Sequence, residues 1–293
     1  MTQTRRIGLV VHAGRDESRR AAARAAQALR DANQSVVVIG EDDLVDDTSD
    51  ELAQIGTVVA ADDFSSTVGF ALSFGGDGTF LRAAHLCRDA KIPVLGVNLG
   101  RLGFLAEVEL DGLDEAIDAV ARGAYVVEHR STLEAFRVDG NGDHHPIGWA
   151  LNEVSVEKTA RQRLLLMDVH IGGQWFARVP ADALVVATST GSTAYALSAG
   201  GPILSPRVNG TLVVPVAPHS LFDRTVVASP DEGIDIDVLP SQPAGLVSCD
   251  GREPLEVSAG SRVHVRGGSL PLAIARLAPV EFYGLVRRKF GLN

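Results

Sequence analysis

Apolar residues fall into two different patterns along this chain, and the change comes near Tyr125. Before it, short apolar runs alternate with longer mixed segments. Residues 7–11, 35–39, 57–60, 70–74 and 92–97 read as buried strands, while 16–29 and 113–121 carry helical spacing. Strand-to-helix alternation of this kind implies a parallel sheet covered on both faces. Residues 41–50 are acidic and polar and read as a surface loop. After Tyr125 short strands dominate, over 132–138, 150–157, 164–171, 175–179, 183–188, 211–216 and 234–238. Gly172-Gly173 between two of them is a hairpin signal. Ile234-Asp235-Ile236-Asp237-Val238 alternates apolar and acidic, which leaves one face wet. That half reads as an antiparallel sandwich. The last stretch, 280–290, returns to helical spacing with cations near its C-terminus, where the helix dipole favours them. It is predicted to pack back on the first domain. The expected division is an α/β domain over 1–125, an all-β sandwich over 126–275 and a returning helix over 276–293.

Composition narrows the function classes. The chain has 293 residues, enough for two cores, with 45% hydrophobic and 22% charged residues, so it is globular. A net charge of -10 argues against nonspecific nucleic-acid binding and against an anionic membrane surface, but local arginines can still receive an anionic small ligand. The two cysteines, Cys87 and Cys249, show no metal-ligand spacing and suggest a reducing compartment. The apolar start at Ile7 is too short for a signal sequence, and no run spans a bilayer, so a cytoplasmic protein is expected.

One strand end carries unusual chemistry. Gly75-Gly76-Asp77-Gly78-Thr79 follows the apolar run 68–74 and precedes a helix start. Glycines there permit positive φ and close ligand approach, and the free amides of a first helical turn favour phosphate. Asp77 adds a group able to accept a proton or hold a metal ion. The plainer alternative is a tight turn with Asp77 as helix cap. Asn152-Glu153 interrupts an apolar strand, placing adjacent polar groups where one of them faces a core or a cleft. Thr188-Ser189-Thr190-Gly191-Ser192-Thr193-Ala194-Tyr195 is dense in hydroxyls after the strand 183–186. It suits a purine edge with Tyr195 packed on a base, or an ordinary Ser/Thr turn. His219 and Asp250-Gly251 read most simply as turn residues. Signatures of Walker-type ATPases, Rossmann dehydrogenases, serine hydrolases and zinc peptidases are missing.

Taken as an ordered set, these segments resemble the NAD kinase family. The resemblance rests on the runs 75–84 and 98–105, on Asn152-Glu153, on 190–202 and on Asp250-Gly251. The first run alone is shared with lipid kinases and phosphofructokinases; the set is specific. The resemblance implies a Rossmann-like α/β domain plus an antiparallel β-sandwich, in dimers or tetramers. It implies transfer of the ATP γ-phosphoryl group to the adenosine 2′-hydroxyl of NAD, giving NADP, with polyphosphate as donor in some members. It also implies a divalent metal ion, Mg2+, carried by ATP and without dedicated protein ligands. By position, Asp77 corresponds to the proton acceptor, with Gly75, Gly76 and Gly78 beside it. Asn152 and Glu153 would hold the adenosine. Thr193, Ala194, Tyr195, Ala196, Leu197 and Ser198 would line the adenine pocket, with Thr190 a further nucleotide-binding position. Asp182 would face the nicotinamide side. Arg82, Arg163, Arg252 and Asp250 fall at ligand-contact positions, and Ala217 falls in a turn often completed across a subunit boundary. Two departures stand out. Ser189 replaces a common proline, and Pro180-Ala181-Asp182-Ala183 replaces an Arg-x-Asp-Gly pattern, leaving Arg178 as the nearby cation. Rival readings are a lipid or sphingoid-base kinase using the same glycine turn, and a non-catalytic dinucleotide sensor.

Overall fold

The computed structural model describes residues 6–12, 14–39, 53–100, 103–160, 162–240 and 243–292. The expected loop at 41–50 lies outside them, as do positions 101 and 102 of the 98–105 run. The chain forms two compact units, 1–129 with 272–293, and 130–271.

The first unit contains β1 (Arg6–Val11), α1 (Asp16–Asp31), β2 (Ser35–Ile39), β3 (Thr57–Val58), α2 (Ala61–Thr67), β4 (Phe70–Gly75), α3 (Asp77–Cys87), β5 (Val94–Asn98), β6 (Val108–Glu109), α4 (Leu113–Arg122) and β7 (Val126–Arg130). Its sheet runs β3-β2-β1-β4-β5, parallel throughout, and continues into a strand from the far end of the chain. Strands buried on both faces read as continuous apolar runs, and β4 is buried along its whole length. α1 has alanines on its inner face, Ala21, Ala22, Ala25 and Ala26, which let it lie close to the sheet; Leu29 completes that stripe. α2 escapes sequence reading because its seven residues, Ala-Asp-Asp-Phe-Ser-Ser-Thr, hold a single buried anchor, Phe64. Strand order reverses direction at β1, between β2 and β4. In open parallel sheets the crevice beyond the strand ends at such a reversal is where ligands bind. The Gly75–Thr79 turn sits at that end of β4.

The second unit contains β8 (Leu133–Val138), β9 (His144–Ala150), β10 (Glu153–Lys158), β11 (Leu165–Ile171), β12 (Gln174–Ala181), β13 (Ala183–Ala187), α5 (Tyr195–Ser198), β14 (Thr211–Val216), β15 (Val226–Ala228), β16 (Ile234–Val238), β17 (Gly245–Cys249), β18 (Leu255–Val257) and β19 (Arg262–Gly267). Two six-stranded antiparallel sheets, β15-β14-β13-β10-β17-β18 and β12-β11-β16-β19-β8-β9, share one core. Val154, Val156, Leu184 and Val186 from the first meet Met167, Val169, Ile236 and Val263 from the second. The hairpin expected at Gly172-Gly173 joins β11 to β12 with both φ values positive, 57° and 75°. The strand expected over 150–157 is broken at Leu151-Asn152, where the backbone turns between β9 and β10.

The chain then re-enters the first unit as β20 (Leu272–Arg276), parallel to β5. The unit boundary therefore falls at Pro271, a few residues before the expected one. α6 (Phe282–Phe290) follows and packs on the first unit through Phe104, whose ring lies 6.3 Å from that of Phe282 and 6.4 Å from that of Phe290.

Candidate active site

In the first unit the site is built at the end of β4. No glycine of the 75–78 turn has the positive φ the sequence suggested; their reasons are spatial. A Cβ on Gly75 would lie 2.3 Å from Thr79 Oγ1, so Gly75 is needed for the turn to close. A Cβ on Gly76 or Gly78 would meet nothing within 4 Å, so these two leave open space around Asp77. Asp77 does not cap its own helix, contrary to the plainer reading. Its Oδ2 accepts the Phe104 N–H at 3.0 Å and its Oδ1 the Leu105 N–H at 3.2 Å. Gly103 has to be glycine for this, because a Cβ there would lie 2.1 Å from Asp77 Oδ1. One carboxylate is thus held from outside its helix, half-exposed beside two open glycines. Arg82 lies half-buried further along α3. Asn98, at the C-terminal end of β5, is buried, and its Oδ1 has no partner. Asn98 and the Phe104 and Leu105 amides were missed as site residues, although the 98–105 run marks all three.

In the second unit the other predicted residues gather around the β9–β10 break. Asp250 has a left-handed backbone, φ 53°, followed by Gly251 at 67°. Its carboxylate accepts the N–H groups of Leu151 and Asn152 at 2.7 Å each and of Glu153 at 3.2 Å. Its carboxylate is thus a clamp on the backbone that presents Asn152 and Glu153. The Thr188–Gly191 turn closes over the same break. Thr188 Oγ1 donates to Leu151 O at 2.6 Å, the Thr188 N–H donates to Asn152 O at 2.9 Å, and a Cβ on Gly191 would lie 2.0 Å from that carbonyl. Two hydroxyls of the run bond its own backbone, Ser192 to Ser189 O at 2.7 Å and Thr193 to Thr190 O at 3.2 Å. The buried Arg130 donates to Thr190 Oγ1 at 3.1 Å.

The Glu153 carboxyl is held differently. Burial, reinforced by the Asp250 carboxylate, pushes it up to about 7; the Tyr195 N–H opposes this and Glu157 adds to it. Its Oε2 is buried with no partner. Burial, with the negative charges of Glu157, Glu153 and Asp182 adding to it, raises the Tyr195 phenol. Asp182 is ion-paired with Lys158. Ala196 is fully buried against Val185, Ala187 and Leu212, so its side chain serves the core, whereas Tyr195 and Leu197 are half-buried and Ser198 is exposed. Ala194 is half-buried. Arg163 and Arg252 stand exposed on loops. Ala217, exposed, has a left-handed backbone at φ 46°, unusual for a residue with a Cβ. Arg178 is not a spare cation near Asp182: it is bidentate to Asp168 at 2.8 Å on both arms. Both cysteine thiols are free and buried, each pushed up to about 12 by that burial. Among the described residues no three His, Cys, Asp or Glu side chains gather closely enough to hold a metal ion. No described helix is long and apolar enough to cross a membrane.

Comparison with known proteins agrees with the ordered motifs. Residues 7–125 match the ATP-NAD kinase N-terminal domain and residues 151–277 the ATP-NAD kinase C-terminal domain. The chain is 41% identical to NAD kinase 2 of Streptomyces avermitilis over 296 residues, spanning 100% of this chain and 97% of that protein. It is 43% identical to the NAD kinase of Mycobacterium tuberculosis over 301 residues, again 100% and 97%. In structure it is similar to yeast NADH kinase solved with NADH, with a TM-score of 0.88 at 23% identity, covering 99% of this chain and 88% of that one. The chain belongs to the NAD kinase family.

Proposed function

We propose that this protein phosphorylates the adenosine 2′-hydroxyl of NAD with ATP, giving NADP and ADP, and that Asp77 accepts the hydroxyl proton. The observation that carries this is the Asp77 carboxylate, fixed by the Phe104 and Leu105 N–H groups at the sheet's reversal point, with Gly76 and Gly78 open beside it. Phosphoryl transfer needs positioning and charge neutralisation more than covalent help. The 2′-oxygen attacks the γ-phosphorus, the bond from that phosphorus to the bridging oxygen breaks, and ADP leaves with the bridging oxygen. The hydroxyl proton passes to Asp77. The first turn of α3 offers free N–H groups to phosphate. The divalent metal, Mg2+ carried on the ATP phosphates, supplies charge neutralisation there and needs few protein carboxylates.

The second unit supplies nucleoside recognition. Asn152 and Glu153, presented by the Asp250 clamp, bind the adenosine; the unpartnered Glu153 Oε2 is the acceptor or donor best placed for a hydroxyl or an exocyclic amine. Tyr195 packs on the base, with Thr190, Thr193, Ala194, Leu197 and Ser198 around it. Asp182 serves the nicotinamide side, and Arg82, Arg163 and Arg252 face the ligand's phosphates. Ala217 belongs to a ligand-lining turn completed by a second copy in a dimer or tetramer. Polyphosphate is an alternative donor, and the protein works in the cytoplasm.

Incubation with NAD, Mg2+ and ATP should yield NADP. Asp77→Asn should keep NAD binding and lose about 10²-fold or more of turnover, the usual scale for a general base. NAD binding without NADP from ATP or polyphosphate would make the protein a sensor. Near-parental turnover of Asp77→Asn would remove Asp77 from its role.

A further inference from the structure

The Asp77 carboxylate is fixed by a segment that has no regular secondary structure of its own. Residues 103–107 lie outside any helix or strand, yet their amides set where both Asp77 oxygens sit. The segment is anchored at both flanks. Before it, the Leu99 N–H donates to Gly75 O at 3.2 Å. After it, the Glu107 N–H donates to Gly96 O at 3.0 Å, and the Glu107 carboxylate accepts Arg276 Nη1 at 3.2 Å and the Leu277 N–H at 3.1 Å. Between these anchors the buried Leu105 and Ala106 side chains hold the described part of the loop to the core, and the half-buried Phe104 ring holds it to α6. Three groups of α6 meet it: Phe282, Phe290 and the Lys289 ammonium, whose Nζ lies 4.5 Å from the ring centroid. A cation at that distance over a ring is attracted by the ring's quadrupole.

We infer that Phe104 is a positioning residue for Asp77, and that α6, the last helix of the chain, sets the orientation of the catalytic carboxylate through this ring. The inference rests on Asp77 being the proton acceptor. The ring's described contacts are with Phe282, Lys289 and Phe290 of α6. It fixes the amide that fixes the carboxylate, so its loss acts on the chemical step and not on substrate affinity. Misplacement of a reacting group by a fraction of its bond reach is enough to slow transfer.

The test uses the full-length enzyme with kcat, KM for NAD and melting temperature measured for each variant. Phe104→Ala should lower kcat on the order of tenfold, with KM for NAD within about twofold of the parent. Phe104→Tyr, which keeps the ring, should restore most of kcat. In an Asp77→Asn background, Phe104→Ala should remove little of the residual turnover, because two residues acting on one step are not additive. Lys289→Met keeps the side-chain stem and should lower kcat by about twofold, the smaller share due to the cation. Parental kcat in Phe104→Ala, with Asp77→Asn inactive, overturns the inference and leaves Asp77 in place. A further tenfold loss on the Asp77→Asn background also overturns it, because Phe104 then acts by another route. Should Phe104→Ala fail to fold, unchanged kcat in Lys289→Met overturns it. High activity of Asp77→Asn alone removes the Asp77 assignment instead.

Discussion

Two turns at the ends of apolar strands hold the candidate chemistry, and they are built on opposite principles. The turn after β4 in the first unit leaves two glycines, Gly76 and Gly78, open and has its carboxylate held by a distant loop. The turn after β13 in the second unit is closed. Its Ser192 and Thr193 hydroxyls bond the turn's own backbone, Thr188 bonds Leu151 O, and Gly191 is pressed against Asn152 O. The first turn keeps open space around its carboxylate; the second closes on the Leu151-Asn152 backbone. Glycine therefore has two meanings here, open space at Gly76 and Gly78, and close approach at Gly75, to the Thr79 side chain, and at Gly191, to the Asn152 backbone. The same contrast separates carboxylates of the second unit. Asp250 takes three N–H groups and is structural, whereas Glu153 keeps one buried oxygen without a partner.

The largest effect that sharpens this contrast is expected at Gly191. An added Cβ would sit 2.0 Å from a carbonyl oxygen that is itself held by the Thr188 N–H, so neither side can yield cheaply. Gly191→Ala should destabilise by about 3 kcal/mol or more, the upper part of the range for overpacking. Urea unfolding of the variant measures it. A midpoint equal to the parent's would mean that the second turn is as open as the first.

The next effect concerns Glu153. Its carboxyl is raised in the folded protein to about 7 from an ordinary value of 4.5. Between those values the native state holds a proton that the unfolded state has released, so raising pH favours unfolding. The parent should lose stability as pH rises from 4.5 to 7, by about 3 kcal/mol at most for a shift of this size. Glu153→Gln should flatten the curve in that window. Unfolding midpoints at pH 5 and pH 7 give the comparison, and a slope unchanged by the substitution would assign the pH dependence to other groups.

Much of this was legible in the residues, for reasons that differ by region. The strands at 35–39, 211–216 and 234–238 carry their own pattern, so their bounds follow from it. β20 was not legible as a strand of the first unit, because Leu272-Ala273-Ile274-Ala275-Arg276 has the composition of any buried strand and nothing local names its partner. Asp77 is visible through its glycines. The role of Asp250 is not, since a turn signal does not reveal three amides converging on it from residues about a hundred positions earlier. Separation along the chain likewise hides the hold of the Phe104 amide on Asp77, 27 positions earlier, and the packing of α6 on the Phe104 ring.

The smallest effect on the fold is expected at Gly76, and it tests the open side of the contrast. Its backbone, φ -98° and ψ -166°, is extended and available to any residue, and a Cβ would meet nothing. Gly76→Ala should therefore leave stability within about 1 kcal/mol of the parent, or raise it slightly by restricting the unfolded chain. The new methyl group would stand beside Asp77, where the transferring phosphoryl group has to approach, so turnover should fall on the order of tenfold while the midpoint holds. Loss of stability with turnover per folded molecule preserved would reverse the assignment. Gly76 would then be a packing glycine like Gly191, and the first turn would owe its sequence to the fold.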